Sequence, residues 1–166
     1  IDMLSMSGHK FYGPKGIGVL FVRTGVRISR INDGGHQEKD KRSGTENTPG
    51  IIGISYAIEK AYRDFDENTK RIKELRDYYI NEIEKRIPEV ILNGDRNDRL
   101  PGNANFSFKC VEGESILLLL DAKGICVSTG SACSSKSLEP SYVLLATGLP
   151  HEVAHGSIRV SIGKHN

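Results

Sequence analysis

The chain has 166 residues, with 23 lysines and arginines against 21 aspartates and glutamates, for a formal net charge of +2. This length can bury a core without a disulfide or a metal, and so small and evenly spread a charge excess argues against nucleic acid or an anionic membrane as partner. The longest apolar run, Ile116–Leu120, is far below the roughly 20 residues of a membrane span, and no signal segment opens the chain. We therefore expect a cytoplasmic protein that acts on a small molecule.

The first part of the chain predicts a glycine-rich turn, a strand, a loop and a long helix. A strand is expected over Ile17–Val22, directly after the stretch GPKGIG. The polar loop over residues 32–50 is too long to be an idle connection. Apolar residues then recur at three- and four-residue steps over Ile51–Ile87, which predicts helix up to Pro88. So long a helix is improbable in a small domain, and we expect a bend near residues 64–68, at the border between two lobes.

The remainder of the chain predicts an α/β unit. Its expected strands are Val90–Leu92, Ala104–Cys110, Ile125–Ser128 and the final stretch SIRVSIG. Its expected helices are ESILLLLDAKG, which ends at Gly124, and PSYVLLATG, which lies between Pro140 and Gly148. The last strand alternates, so that Ile158 and Val160 share one face and Arg159 lies on the other, away from the core. Both ends of the chain look cut from something longer.

The three cysteines are predicted to differ in role. Their odd number and the absence of a CxxC pair disfavour a disulfide framework and a zinc site, so no metal is expected. Cys110 and Cys126 fall at apolar positions of predicted strands and are expected to be small core residues. Cys133 lies in STGSACSSKS, among small and flexible residues, which predicts an accessible and reactive thiol on a loop that moves.

Three other residues could carry chemistry, and each also has a plainer interpretation. Lys10, beside His9, could form an imine with a carbonyl cofactor, of which pyridoxal phosphate (PLP) is the usual one, or it could be a solvated surface lysine. The loop that contains Thr45 could hold a phosphate, or it could be only a polar loop. Arg159 could clamp a carboxylate, or it could be a surface arginine.

Four motifs in a fixed order resolve these alternatives: SxHKxxGPKGIG at residues 7–18, GGxQExxxRxGTxN at 34–47, SxGSACSS at 128–135 and SIRxSIG at 157–163. Together they resemble the NifS/IscS-type cysteine desulfurases, PLP enzymes of fold type I in the class-V aminotransferase family. The resemblance covers essentially the whole chain and implies the C-terminal portion of such an enzyme. Residues 1–65 would then be the end of the large PLP-binding domain, and residues 66–166 the small C-terminal α/β domain.

The resemblance implies roles for the residues of the first two motifs. Lys10 matches the lysine that binds PLP covalently, and Ser7 and His9 match positions that contact the cofactor phosphate. Thr45 matches the residue that reaches the phosphate of the neighbouring subunit's cofactor, which implies a homodimer.

The last two motifs imply the substrate and the sulfur acceptor. Arg159 matches the arginine that binds the carboxylate of L-cysteine, and Cys133 matches the nucleophile that receives its sulfur as a persulfide and leaves L-alanine. The sulfur would pass to an iron–sulfur scaffold or another acceptor.

The resemblance also implies that part of the site is missing. The family's aspartate at the pyridine nitrogen and its ring-stacking histidine belong to upstream sequence, so we expect these 166 residues to be inactive alone. Two alternatives remain: a related enzyme of the same fold, such as a selenocysteine lyase or a small aminotransferase, which would not need Cys133, or a non-catalytic interaction module.

Overall fold

The structure, a computed structural model, describes residues 1–130 and 139–166. The chain divides into two compact units, the N-terminal unit Ile1–Phe65 and the C-terminal unit Asp66–Asn166. Both contain strands and helices, so the prediction of an α/β fold is confirmed.

The N-terminal unit begins with a hairpin. Strand β1 (Met3–Ser7) pairs antiparallel with β2 (Gly18–Val22), and the short 3-10 helix Gly8–Phe11 follows β1 directly. The second strand was predicted. The first was not, although the stretch LSMS within it alternates apolar and polar residues.

Two helices replace the single long helix of the sequence pattern. The short segment α1 (Gln37–Asp40) is a turn with left-handed backbone angles at Glu38 and Lys39 and not a regular helix. Helix α2 (Thr48–Arg63) then begins with Asn47 as its N-cap and has Asp64 as its C-cap, and α3 (Phe65–Arg86) follows at once. The break falls at Asp64, the first residue of the range over which the bend was expected, so the interruption of the helix there is confirmed.

The apolar face predicted for α2 is largely exposed. Ile54 is buried at 5% exposure, whereas Ile52 is 65% and Tyr62 83% exposed. Ile54 is also the only buried hydrophobic residue among residues 1–65. The helical period was therefore predicted correctly, but the burial that normally accompanies it is not found in this unit.

The C-terminal unit is built on a three-stranded antiparallel sheet. Strands β3 (Val90–Leu92), β4 (Asn103–Phe108) and β5 (Ser157–Ser161) lie in that order. The core lies on one face of the sheet, where the buried residues Ala104 and Phe106 pack with Ile80 of α3. Tyr79 of α3 adds an edge-on ring contact to Phe106, with the ring centroids 6.0 Å apart.

Three short helices complete this unit: α4 (Gly113–Asp121), α5 (Tyr142–Ala146) and α6 (His151–His155). The first two were predicted; the third was not. The strand predicted over Ile125–Ser128 is wrong, because Ser128 alone makes a bridge, to Arg159, while Ile125 and Cys126 lie exposed. Within residues 1–130 and 139–166, no helix has the length and apolar character needed to cross a membrane.

A buried arginine ties α3 to the segment before β4. Arg76 is 1% exposed, and its guanidinium donates to Asp77 Oδ1 at 2.9 and 2.7 Å and to the carbonyl of Leu100 at 3.2 Å. A buried charge is tolerated only when it is paired and hydrogen-bonded in this way. The sequence analysis did not single out Arg76, because a helical pattern alone does not distinguish a buried arginine from a solvated one.

The packing of Ile80 yields a stability test. Because Ile80 is 1% exposed in the core, Ile80→Ala should lower the free energy of unfolding of the C-terminal unit by about 2–5 kcal/mol. Leu119→Ala in α4, where the side chain is 69% exposed, is the control and should change it by less than about 0.5 kcal/mol. Urea denaturation followed by circular dichroism measures both, and equal losses would contradict this core.

Candidate functional site

Lys10 lies in a tightly closed turn between the two strands of the hairpin. The Gly8 N–H donates to the Ile17 carbonyl at 2.9 Å, and the Gly13 N–H donates to the Gly8 carbonyl at 2.9 Å. These bonds close the chain on itself around the 3-10 helix that carries Lys10. We call residues 7–18 the lysine turn.

Glycine is required in the lysine turn because backbone atoms approach too closely for a side chain. A Cβ at Gly18 would lie 2.6 Å from the Met6 carbonyl oxygen, and one at Gly13 would lie 2.9 Å from that of Gly8. Real Cβ atoms do not come so close to backbone. Close backbone approach within the hairpin therefore explains Gly13 and Gly18, and the φ of +81° explains Gly16, independently of any ligand.

The polar side chains of the lysine turn are open to a ligand. Ser7, His9 and Lys10 are exposed, and within the described residues none of their side chains makes a hydrogen bond or an ion pair. A primary amine can condense with an aldehyde, and a hydroxyl and an imidazole can donate to phosphate oxygens. This set of groups fits PLP.

The loop that carries Thr45 is closed by a residue that the sequence analysis did not single out. Ser43 is buried, and its hydroxyl is shared between the carbonyls of Asn32 at 3.1 Å and Asp33 at 3.0 Å. Gly44 follows with φ +104°, and Thr45 emerges exposed. A buried serine in a polar loop has no pattern of its own, so only the structure reveals it.

Asn47 accepts a hydrogen bond from the backbone N–H of Gly50, one of the donors near the loop that could otherwise bind a phosphate. Its Oδ1 accepts the Gly50 N–H at 3.1 Å, which caps α2 three residues before the predicted start at Ile51. This N–H therefore already has an acceptor. The Thr45 hydroxyl, by contrast, makes no hydrogen bond to the described residues and stays available to a phosphate.

Arg159 lies in β5 between two polar neighbours. On one side it faces Asn105 of β4; on the other, its N–H donates to the Ser128 carbonyl at 2.6 Å and its carbonyl accepts the Ser128 N–H at 3.2 Å. Its side chain is partly buried, and the guanidinium makes no hydrogen bond or ion pair to the described residues. The predicted face is confirmed, since Ile158 and Val160 belong to the core side.

The residues before Cys133 are held against β5. The Ser128 hydroxyl donates to the Gly130 carbonyl at 2.6 Å, and the Ser157 hydroxyl donates to the Thr129 carbonyl at 3.4 Å. Cys133 itself lies outside the described residues. The structure therefore ties the start of its segment to the strand that carries Arg159.

The prediction for the other two cysteines is wrong, because Cys110 and Cys126 are both exposed. The strand assigned to Cys110 ends at Phe108, and Cys110 adopts a left-handed turn with φ +62°. Cys126 lies in the segment that was wrongly assigned to a strand. Among the described residues, no three histidine, cysteine or acidic side chains are grouped as metal ligands.

Comparison with known proteins assigns the chain to a family. The family model for class-V aminotransferases matches residues 1–166. The chain belongs to the class-V aminotransferase family. Within it, the chain is 60% identical over 163 residues to the cysteine desulfurase IscS of Dictyoglomus turgidum, an alignment that covers 98% of this chain and 41% of that relative.

Solved structures agree with this assignment. A NifS-like protein from Rickettsia africae superposes with a TM-score of 0.89 at 31% identity, over 100% of this chain and 43% of that one. SspA, solved in complex with cysteine, gives a TM-score of 0.73 at 32% identity, over 98% of this chain and 44% of that one. The expected resemblance and the α/β fold of NifS-like PLP enzymes are confirmed. The chain spans about two-fifths of the length of these relatives.

The exposure of Cys110 and Cys126 can be tested by thiol labelling. We expect a Cys133→Ser variant of this class-V family chain to react with about two equivalents of a thiol reagent without denaturant, because both remaining thiols are exposed to the reagent. Absorbance of the released reagent gives the count. Labelling only after denaturation would show that these cysteines are buried.

Proposed function

We propose that this chain is the C-terminal part of a PLP-dependent cysteine desulfurase, a transferase that converts L-cysteine to L-alanine and carries the sulfur as a persulfide on Cys133. The observation that carries the proposal is the 60% identity to the IscS of Dictyoglomus turgidum across 98% of the chain. In this proposal residues 1–65 are the end of the large PLP-binding domain, and residues 66–166 are the small domain.

Lys10 is the residue proposed to bind the cofactor. When bound, PLP supplies an electron sink that weakens the bonds at the substrate Cα. The Lys10 amine, exposed and unpartnered among the described residues, takes and returns a proton at that carbon. Ser7 and His9, on either side of Gly8, donate to the phosphate.

Arg159 and Cys133 are proposed to act on the substrate. The Arg159 guanidinium, a planar fork of donors, binds the carboxylate of L-cysteine. The Cys133 thiolate then attacks the substrate sulfur: a sulfur–sulfur bond forms, the carbon–sulfur bond breaks, and the carbon takes up a proton. The products are L-alanine and the Cys133 persulfide, which passes sulfur to an iron–sulfur scaffold or another acceptor.

The proposed role of Thr45 implies that two subunits form each cofactor site. We propose that the full-length protein is a homodimer in which Thr45 donates to the cofactor phosphate of the neighbouring subunit. The exposure of Thr45 beside the buried Ser43 supports this role. A cytoplasmic location remains a prediction from composition.

The isolated chain offers a direct test of Lys10. If the lysine turn is formed without the rest of the enzyme, borohydride reduction in the presence of PLP should place the adduct on Lys10 in preference to the other lysines. Peptide mass mapping reports the modified site, and Lys10→Arg is the matched control. Adducts scattered over surface lysines, unchanged by Lys10→Arg, would contradict a preformed site.

The full-length protein tests the reaction and its alternatives. Cys133→Ser should lower persulfide formation at least about a hundredfold, because a hydroxyl cannot carry the sulfur. Labelling of the persulfide and assay of alanine measure the two products, with Cys110→Ser as the control. Unchanged sulfur release in Cys133→Ser would favour a selenocysteine lyase, whereas transfer of the amino group without sulfur release would favour an aminotransferase. Alanine formation by the 166-residue chain alone would refute its expected inactivity.

A further inference from the structure

Four polar residues form a row across the sheet of the C-terminal unit. Asn105 of β4 lies opposite Arg159 of β5. Beyond Arg159 the row continues to Ser128, and beyond Asn105 it continues to Asn93, whose N–H donates to the Asn105 carbonyl at 2.8 Å. The row therefore places an asparagine directly beside the arginine proposed to bind the substrate.

The backbone bonding brings Asn105 and Arg159 especially close. Both backbone groups of Arg159 are bonded to Ser128, on the side away from β4. Asn105 and Arg159 are therefore a non-hydrogen-bonded pair of the antiparallel ladder, the kind in which Cα atoms lie about 4.5 Å apart and side chains are closest. Their side chains project from the same face, opposite to the core.

Asn93 fixes the orientation of the Asn105 amide. Asn93 is 9% exposed, and its Nδ2 donates to Asn105 Oδ1 at 2.6 Å and to Ser107 Oγ at 2.9 Å. One lone pair of Asn105 Oδ1 is thus occupied by Asn93, and among the described residues Arg159 donates no hydrogen bond to the other. The NH₂ group of Asn105 makes no hydrogen bond to the described residues.

Within the part of the chain that the structure describes, Asn105 and Arg159 therefore present neighbouring donors without acceptors. An arginine and an amide NH₂ cannot satisfy one another, because neither group accepts a hydrogen bond. A carboxylate can accept from both, since its two oxygens offer about four lone-pair sites and a bidentate arginine uses only two. A carboxylate is thus the ligand chemistry that this pair fits.

We propose that Asn105 is a second carboxylate-binding residue, whose NH₂ donates to the same substrate carboxylate as Arg159. This inference rests on the proposed role of Arg159. It assigns to Asn105 a share in selecting α-amino acids over amines without a carboxylate. It also gives Asn93 a purpose, because the buried amide keeps the Asn105 donor directed at the ligand.

The test uses the full-length, PLP-loaded protein and measures ligand binding. Asn105→Ala should raise the Kd of L-alanine about tenfold, the usual consequence of losing a hydrogen bond to a charged group. The Kd of L-alaninamide should rise less, by about threefold, because its neutral amide oxygen accepts a weaker hydrogen bond than a carboxylate does. The KM of L-cysteine should rise with that Kd, while kcat stays nearly constant.

Two further variants separate binding from folding. Asn105→Asp keeps an acceptor for Asn93 but adds a negative charge that pairs with Arg159. It should therefore weaken the binding of L-alanine more than Asn105→Ala does. Asn103→Ala, two residues away on the same strand and face, opposite Ser161, should leave the Kd unchanged. Melting temperatures of all variants show whether any has lost its fold.

Each outcome bears on one proposal. If Arg159→Ala leaves the Kd of L-alanine unchanged, the proposed role of Arg159 is wrong, and this inference with it. If Arg159→Ala weakens binding but both Asn105 variants bind normally, only the inference is overturned. Equal weakening of L-alanine and L-alaninamide would show a purely structural role for Asn105 and would also overturn it.

Discussion

The antiparallel pairing of β4 with β5 is the constraint on which the C-terminal unit depends. Side chains alternate between the faces of a sheet, so a slip of one residue would exchange core and polar residues. With Phe106 opposite Ile158, both lie in the core; with Asn105 opposite Arg159, both lie on the polar face. One register therefore sets the packing and the candidate carboxylate site together.

The N-terminal unit is organised by backbone closure more than by a core. The lysine turn is held by hydrogen bonds of Gly8 and Gly13, and the loop before α2 is held by the buried hydroxyl of Ser43. Neither device buries much apolar surface, and Ile54 is the only buried hydrophobic residue in residues 1–65. Helix α2 accordingly keeps an apolar residue at every third or fourth position, but most of these apolar side chains are exposed.

The sequence was most informative where a pattern has a single physical cause. Alternation located β5 and the face of Arg159, and the helical period, with its improbable length, located the break at Asp64. It was misleading where one residue type suits two environments. Cys110 was assigned to the core as a small apolar residue, but the strand ended before it and the chain turned out into solvent.

The sequence by itself determined the family, the α/β class and the candidate residues Lys10, Thr45, Cys133 and Arg159, because motifs and periodicity are local properties. Only the tertiary structure decided that Arg76 is buried, that Ser43 closes its loop and that Asn93 orients Asn105 beside Arg159. These contacts join residues that are distant in the chain or depend on where a side chain is directed. Local patterns do not encode either property, since both follow from strand pairing and packing.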